Sequence, residues 1–235
     1  MAEQLAVDFE FRASHSFADF YAGDNQEIVE HLQNCVTQGK EPQIFIWGRA
    51  GLGKSHLLQA CCHCAYQHRL SAFYFAFDSA VLPDPALLTD LEKFDLVCLD
   101  NIDAIAGDPV WERAFFNFFN RHREAEHRLV LSAVCPPEQL PVQLPDLKTR
   151  LNWGLTLKLK PLSEADNIKS LMFRAKQKGF TITESAGRFL LTHYQRDLAS
   201  LWALLEELDR ASLAAKRKLT LPFLKSILKL PRDES

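Results

Sequence analysis

Gly48-Arg49-Ala50-Gly51-Leu52-Gly53-Lys54-Ser55 reads GRAGLGKS and fills every position of the phosphate-loop pattern G-x-x-x-x-G-K-S. The apolar run Ile44–Trp47 leads into it, and His56-Leu57-Leu58-Gln59-Ala60 opens a segment with helical spacing behind it. Strand, loop and helix in that order are the setting in which the pattern has a physical meaning. The glycines let the backbone curl until successive N–H groups face one anion at the positive end of a helix. Lys54 adds a mobile cation for the outer phosphates, and Ser55 offers a hydroxyl to Mg²⁺. A glycine-rich turn that binds nothing is the simpler alternative, and the complete signature in the right context weighs against it. The expected nucleotide contacts are Gly48, Ala50, Gly51, Leu52, Gly53, Lys54, Ser55 and His56.

The chain of 235 residues has room for one nucleotide-binding domain and a small companion. Its 47% hydrophobic and 24% charged residues are those of an ordinary globular protein. A net charge of −3 provides no global cationic field for nucleic acid. The first residues lack a basic-then-apolar leader, and no apolar run approaches membrane length, which predicts a cytoplasmic chain with reduced thiols. Cys61, Cys62, His63, Cys64 and His68 cluster, but neighbours such as 61 and 62 point about 100° apart on a helix. Small apolar fillers behind the phosphate loop are the stronger reading of those thiols than zinc ligands.

Residues 1–12 read as a tail, 13–160 as an α/β nucleotide-binding domain and 161–235 as a small helical domain. Glu27 to Gln38 has helical periodicity and is stopped by Gly39. Five β-type runs follow, Ile44–Trp47, Ala72–Phe77, Leu96–Leu99, Arg128–Ala133 and Leu155–Leu159, separated by helical stretches. That alternation predicts a parallel sheet covered on both faces. Trp111, Phe115, Phe118 and Phe119 recur at helical spacing, a stripe expected to pack on the sheet. The proline-rich PPEQLPVQLP at 136–145 reads as a linker. From Pro161 on only helical periodicity remains. Ser163 and Asp166 form a capping-box pattern, Gly179 ends that helix, and Thr183 caps a second toward Tyr194. A third helix runs from Leu198 to about Leu213, and Thr220 caps a last one with Pro222 in its first turn.

A phosphate loop needs an acid at the end of a neighbouring strand to hold Mg²⁺, and Leu96-Val97-Cys98-Leu99-Asp100 supplies it. Hydrolases of this architecture usually place Asp or Glu next, to orient and polarise the attacking water. Here the residue is Asn101, whose amide cannot accept a proton, and Asp103 two positions on points elsewhere. Weak intrinsic hydrolysis is the expectation.

Taken together these stretches resemble the AAA+ proteins of the DnaA-related family over essentially the whole chain. Phe17-Ala18-Asp19-Phe20-Tyr21-Ala22-Gly23-Asp24-Asn25 is similar to the segment that in this family wraps the adenine, implying contacts from Phe20, Tyr21, Gly23 and Asn25. LVCLDNIDAIAGD at 96–108 resembles the second nucleotide motif, with Ser55 and Asp100 as the implied Mg²⁺ residues. LPDLKTRLNWG at 144–154 resembles the arginine-finger box, with Arg150 at the finger position acting in trans. Read alone, Arg150 is a surface arginine or a partner of Asp146. Arg196 matches the second sensor arginine, although Asp197 or Glu206 would pair with it locally. LDRAS at 208–212, followed by KRKLTLPFLKSILKL, resembles the C-terminal end of the family's shorter, regulatory members. Val134 occupies the place of a polar first sensor, and a valine cannot read a γ-phosphate, which leaves Ser132 as its substitute.

The resemblance implies an AAA+ domain with a five-stranded parallel sheet and an all-α lid, and ADP, with ATP as the alternative, together with Mg²⁺. It implies a negative regulator of replication initiation that acts on DnaA. Gln4-Leu5-Ala6-Val7-Asp8-Phe9 resembles the short peptides that dock on the replicative (DNA polymerase III) sliding clamp, with Gln4, Leu5, Val7 and Phe9 as contacts. A tail strand packing on the domain is the competing reading. Direct DNA binding is not expected: Asp78 to Asp95 holds Asp84, Asp90 and Glu92 with Lys93 as its one basic residue, and the chain stops at Ser235 without a helix-turn-helix. No membrane association is expected, and homo-oligomerisation through an AAA+ surface is compatible with the resemblance. The competing function is an autonomous ATPase or helicase-loader-like remodelling factor.

Overall fold

A computed structural model describes residues 15–193. Within them the chain forms two compact units, one made of Asn25–Leu159 with the described residues up to Phe20, the other of Tyr21–Asp24 with the described residues from Lys160 on. The expected helical domain therefore begins one residue before Pro161, and it also takes in a short piece from the start of the chain. No helix among the described residues is long and apolar enough to cross a membrane.

The first unit holds a five-stranded parallel sheet of β1 (Gln43–Trp47), β2 (Ala72–Ala76), β3 (Leu96–Asp100), β4 (Arg128–Ala133) and β5 (Leu155–Lys158). The order across the sheet is β2-β3-β4-β1-β5. β1 thus lies between β4 and β5, and the loops after β1, β3 and β4 emerge side by side. Strands buried on both faces are apolar along most of their length, as β3 is from Leu96 to Leu99.

Around the sheet lie α1 (Gln26–Gln38), α2 (Lys54–Gln67), α3 (Pro109–Glu124) and α4 (Pro145–Leu151). Gly39 ends α1 as expected, in the left-handed conformation at φ +66°. α3 begins at Asp108, whose carboxylate accepts N–H bonds from Val110 (2.8 Å) and Trp111 (3.2 Å), with Pro109 in the first turn. Arg121 and Arg123 complement its C-terminal end.

The aromatic stripe of α3 packs as expected. Trp111, Phe115, Phe118 and Phe119 join Phe45, Val97, Leu99, Leu129, Leu131 and Ala133 in one core cluster, each full burial contributing about 2–3 kcal/mol. On β3 these core positions are the odd ones, so Cys98 and Asp100 face the other way. Cys98 lies beside Cys61 and Cys62 of α2, and all three thiols are buried. The cysteines of α2 are core residues; among the described residues no three His, Cys, Asp or Glu side chains converge on a metal position.

The linker reading of 136–145 is corrected. Pro137–Gln139 form a 3-10 turn, Leu140 is buried, and Leu140, Leu147 and Leu151 belong to the same core. Proline and glutamine content suggested a spacer, but the leucines between them anchor the stretch. Between β2 and β3 the chain makes only the 3-10 turns Pro85–Leu88 and Leu91–Lys93, where Lys93 pairs with Asp90 at 2.9 Å.

The second unit contains α5 (Glu164–Gln177) and α6 (Glu184–His193). The Ser163 hydroxyl accepts the Asp166 N–H and so caps α5, and Thr183 accepts the Ala186 N–H at 3.3 Å at the start of α6. The helices expected beyond Leu198 lie outside the described residues.

Candidate nucleotide-binding site

The phosphate loop occupies residues 48–53 between β1 and α2. Gly53 is the N-cap of α2 at φ +94°, and a Cβ there would come within 2.8 Å of the Phe20 ring. Only glycine satisfies both conditions. At Gly51 no atom of the described residues beyond its chain neighbours lies within 4 Å of where a Cβ would be, which leaves the loop backbone open on that side. The first N–H groups of α2 have no intrahelical acceptor, and the helix dipole adds to their pull on an anion. The Lys54 ammonium donates to the carbonyls of Gly48 (2.7 Å) and Arg49 (3.2 Å) with the residue only 6% exposed. Burial lowers its pKa, and the nearby carboxylates of Asp100 and Asp103 oppose that shift. Ala50 and Ser55 are exposed, and Leu52 is half-buried beside Gly48.

His56 is buried, with Nε2 2.9 Å from the Ser16 carbonyl and its ring 5.4 Å from that of Phe20. The segment expected to wrap the base is divided between the two units. Phe20 and Asn25, the latter buried at the start of α1, belong to the first; Tyr21 and Gly23 belong to the second. Tyr21 donates to Asp166 at 3.2 Å and lies 5.9 Å from the Phe173 ring. Its pKa is raised, by burial first and then by the Asp166 charge.

Asp100 is fully buried, and each carboxylate oxygen has a hydroxyl donor. Tyr74 donates to Oδ2 at 3.1 Å, and Ser132 donates to Oδ1. Ser132 also accepts the Asn101 N–H at 3.1 Å, so it joins the strand-end acid to the turn that follows it. Asn101 sits at φ +57°, and its amide donates to the Phe77 carbonyl at 3.4 Å. Asp103 accepts the Val134 N–H at 3.1 Å, and Val134 is 47% exposed.

These residues fit a nucleotide: an open cradle of glycine backbone, a lysine beside it and an exposed hydroxyl. Ser55 and Asp100 fit Mg²⁺ as one hydroxyl and one acid, a donor set that needs phosphate oxygens to complete it.

Arg150 stands in the last turn of α4. Its guanidinium carbon lies 4.2 Å from the centre of the Phe116 ring and 5.4 Å from Trp153, and Arg123 lies 4.1 Å from the same Trp153. The arginine thus rests on aromatic faces, and its buried Nε has no hydrogen-bond partner among the described residues. Glu112 holds the approach to α4, a role that its position in the sequence did not suggest. Its carboxylate, 3% exposed, accepts N–H bonds from Gly107 (2.8 Å), Gln143 (3.0 Å) and Leu144 (2.8 Å). Arg196 and the tail residues Gln4, Leu5, Val7 and Phe9 lie outside the described residues.

A parallel sheet in the order 2-3-4-1-5, with a phosphate loop after β1, a strand-end acid on β3 and helices following it, defines an AAA+ P-loop protein. Comparison with known proteins makes the class particular. Residues 85–158 match the family "Bacterial DnaA ATPase domain", and residues 164–228 match "Hda, lid domain". The chain is an Hda-like, DnaA-related AAA+ protein. Among solved structures it is similar to domain III of the Thermotoga maritima replication initiation protein DnaA, at 20% identity and a TM-score of 0.76, over 92% of this chain and 96% of that one. It is also similar to AMPPCP-bound DnaA from Aquifex aeolicus, at 21% identity and a TM-score of 0.71, over 88% of this chain and 71% of the other. A RuvB variant from Thermotoga maritima shares the fold at 14% identity and a TM-score of 0.67, over 92% and 71% of the two chains. The chain spans 66% of a DnaA bound to AMPPCP and single-stranded DNA.

Proposed function

We propose that this chain is a negative regulator of replication initiation that retains ADP as a structural ligand and promotes hydrolysis of the ATP bound to DnaA. The observation that carries this reading is the pairing of a complete phosphate cradle with an acid motif lacking its base: Asn101 follows Asp100 and spends its amide on the Phe77 carbonyl. Such a site binds more readily than it hydrolyses. The chain's contribution to chemistry is then Arg150, delivered to the nucleotide of a neighbouring DnaA, where a guanidinium stabilises charge on the transferred phosphoryl group by a factor of about 10³ or more. Gln4, Leu5, Val7 and Phe9 tether the chain to the sliding clamp, raising its effective concentration near replicated DNA.

The test follows hydrolysis of ATP preloaded on DnaA, in the presence of DNA-loaded clamp, ADP and this protein, beside the Arg150→Ala variant. Acceleration that needs both clamp and Arg150 supports the reading. Acceleration that survives Arg150→Ala removes the finger. No acceleration, together with turnover by this protein alone, replaces the reading with an autonomous ATPase.

A further inference from the structure

β2 reads Ala72-Phe73-Tyr74-Phe75-Ala76, an apolar strand with one hydroxyl in its middle. The parallel register sets Tyr74 opposite Cys98 and Ala76 opposite Asp100, so Tyr74 and Asp100 share the sheet face on which α2 packs. A buried phenol and a buried carboxylate on one face, two residues apart in register, are placed to bond. The Tyr74 hydroxyl donates to Asp100 Oδ2 at 3.1 Å. Ser132, on the other neighbour of β3, closes the remaining side by donating to Oδ1.

A strand-end carboxylate in a phosphate site has two electrostatic problems. It is a buried charge, and it repels the phosphates it faces. In most phosphate loops a divalent cation answers both. Here two hydroxyl donors cover both oxygens, and the Lys54 ammonium, held by the loop carbonyls of Gly48 and Arg49, is close enough to feel the charge of the acid. We infer that Tyr74 is a positioning residue that, with Ser132, ties down Asp100, so that the site retains a nucleoside diphosphate without a divalent cation. This deepens the proposed function and rests on its claim that ADP is a structural ligand.

The test measures ADP affinity in Mg²⁺ and in EDTA, by fluorescence titration and by the melting shift, for the wild type, Tyr74→Phe and Ser132→Ala. The wild type is expected to change its Kd by less than about threefold on removal of Mg²⁺. Tyr74→Phe leaves Oδ2 without its donor, so its ADP affinity in EDTA should fall about tenfold and recover in Mg²⁺; Ser132→Ala should behave alike through Oδ1. A nucleotide-free melting curve close to wild type shows that a variant is folded, and if Tyr74→Phe does not fold, the wild-type comparison and Ser132→Ala still decide. A wild type that loses ADP tenfold in EDTA overturns the inference while leaving ADP binding intact. A wild type that binds ADP in neither condition overturns the proposed function instead.

Discussion

The loop after β1 and the turns after β3 and β4 emerge side by side, and they are built in opposite ways. The first is open: among the described residues nothing beyond its chain neighbours comes within 4 Å of a Cβ at Gly51, and Ser55 is exposed. The second group is closed on itself, with Asp100 held by Tyr74 and Ser132, Asn101 by Ser132 and Phe77, and Asp103 by the Val134 N–H. A hydrolase needs both regions free to reorganise around phosphate and water. A chain that keeps the first available and commits the polar groups of the second to one another is suited to holding a nucleotide.

The largest expected effect lies outside both regions and sharpens the division by sparing it. Glu112→Ala leaves three backbone N–H donors of Gly107, Gln143 and Leu144 without an acceptor, and should lower unfolding stability by about 3 kcal/mol or more. Denaturant titration measures that loss, while the melting increment given by ADP should persist. A variant as stable as the wild type would mean that Glu112 does not anchor the approach to Arg150.

Breaking the open region comes next. At ADP about 100-fold above Kd, binding adds about 2.7 kcal/mol to the wild type, and Lys54→Ala should lose most of that increment. Equal melting shifts for both proteins would count against the cradle.

His122, buried on α3 beside His127, has its pKa pulled down to about 4, chiefly by desolvation. The unfolded chain takes up a proton there below about pH 6.5 while the folded one does not, so stability should rise with pH between about 4 and 6.5. The folded pKa corresponds to about 3 kcal/mol at most, and about 2 is expected once the unfolded chain's own interactions are allowed for. His122→Asn should flatten this acid slope and leave the ADP increment at neutral pH unchanged. An unaltered slope assigns the acid sensitivity to other groups.

The smallest expected effect probes the closed region. A freed general base accelerates proton transfer by about 10² or more, yet Asn101→Asp should raise intrinsic ATP turnover less than about tenfold, because residue 101 sits on the left-handed turn held by Ser132. A hundredfold gain would show that one missing carboxylate, and not the closed geometry, limits hydrolysis.

The open region was legible in the sequence because its chemistry is local: the loop glycines, Lys54, Ser55 and the entering strand are contiguous. The five strands, the α3 stripe and the caps at Ser163 and Thr183 were legible for the same reason. The closed region was not. Tyr74 and Asp100 lie 26 positions apart, and only the strand register brings them together. The single hydroxyl in an apolar β2 was the one signal available. Glu112 finds its partners about 31 positions downstream, and Tyr21 finds Asp166 across 145 positions. The stretch 136–145 misled because composition marks spacers well but does not reveal which leucines a core will claim.

The most direct test of the central claim loads this protein alone with ATP and Mg²⁺ and follows a single turnover. The closed turns predict hydrolysis slower than about 10⁻³ s⁻¹, the range of a nucleotide hydrolase working without a finger. Hydrolysis at about 1 s⁻¹ or faster, the ordinary range of an enzyme, would contradict the account.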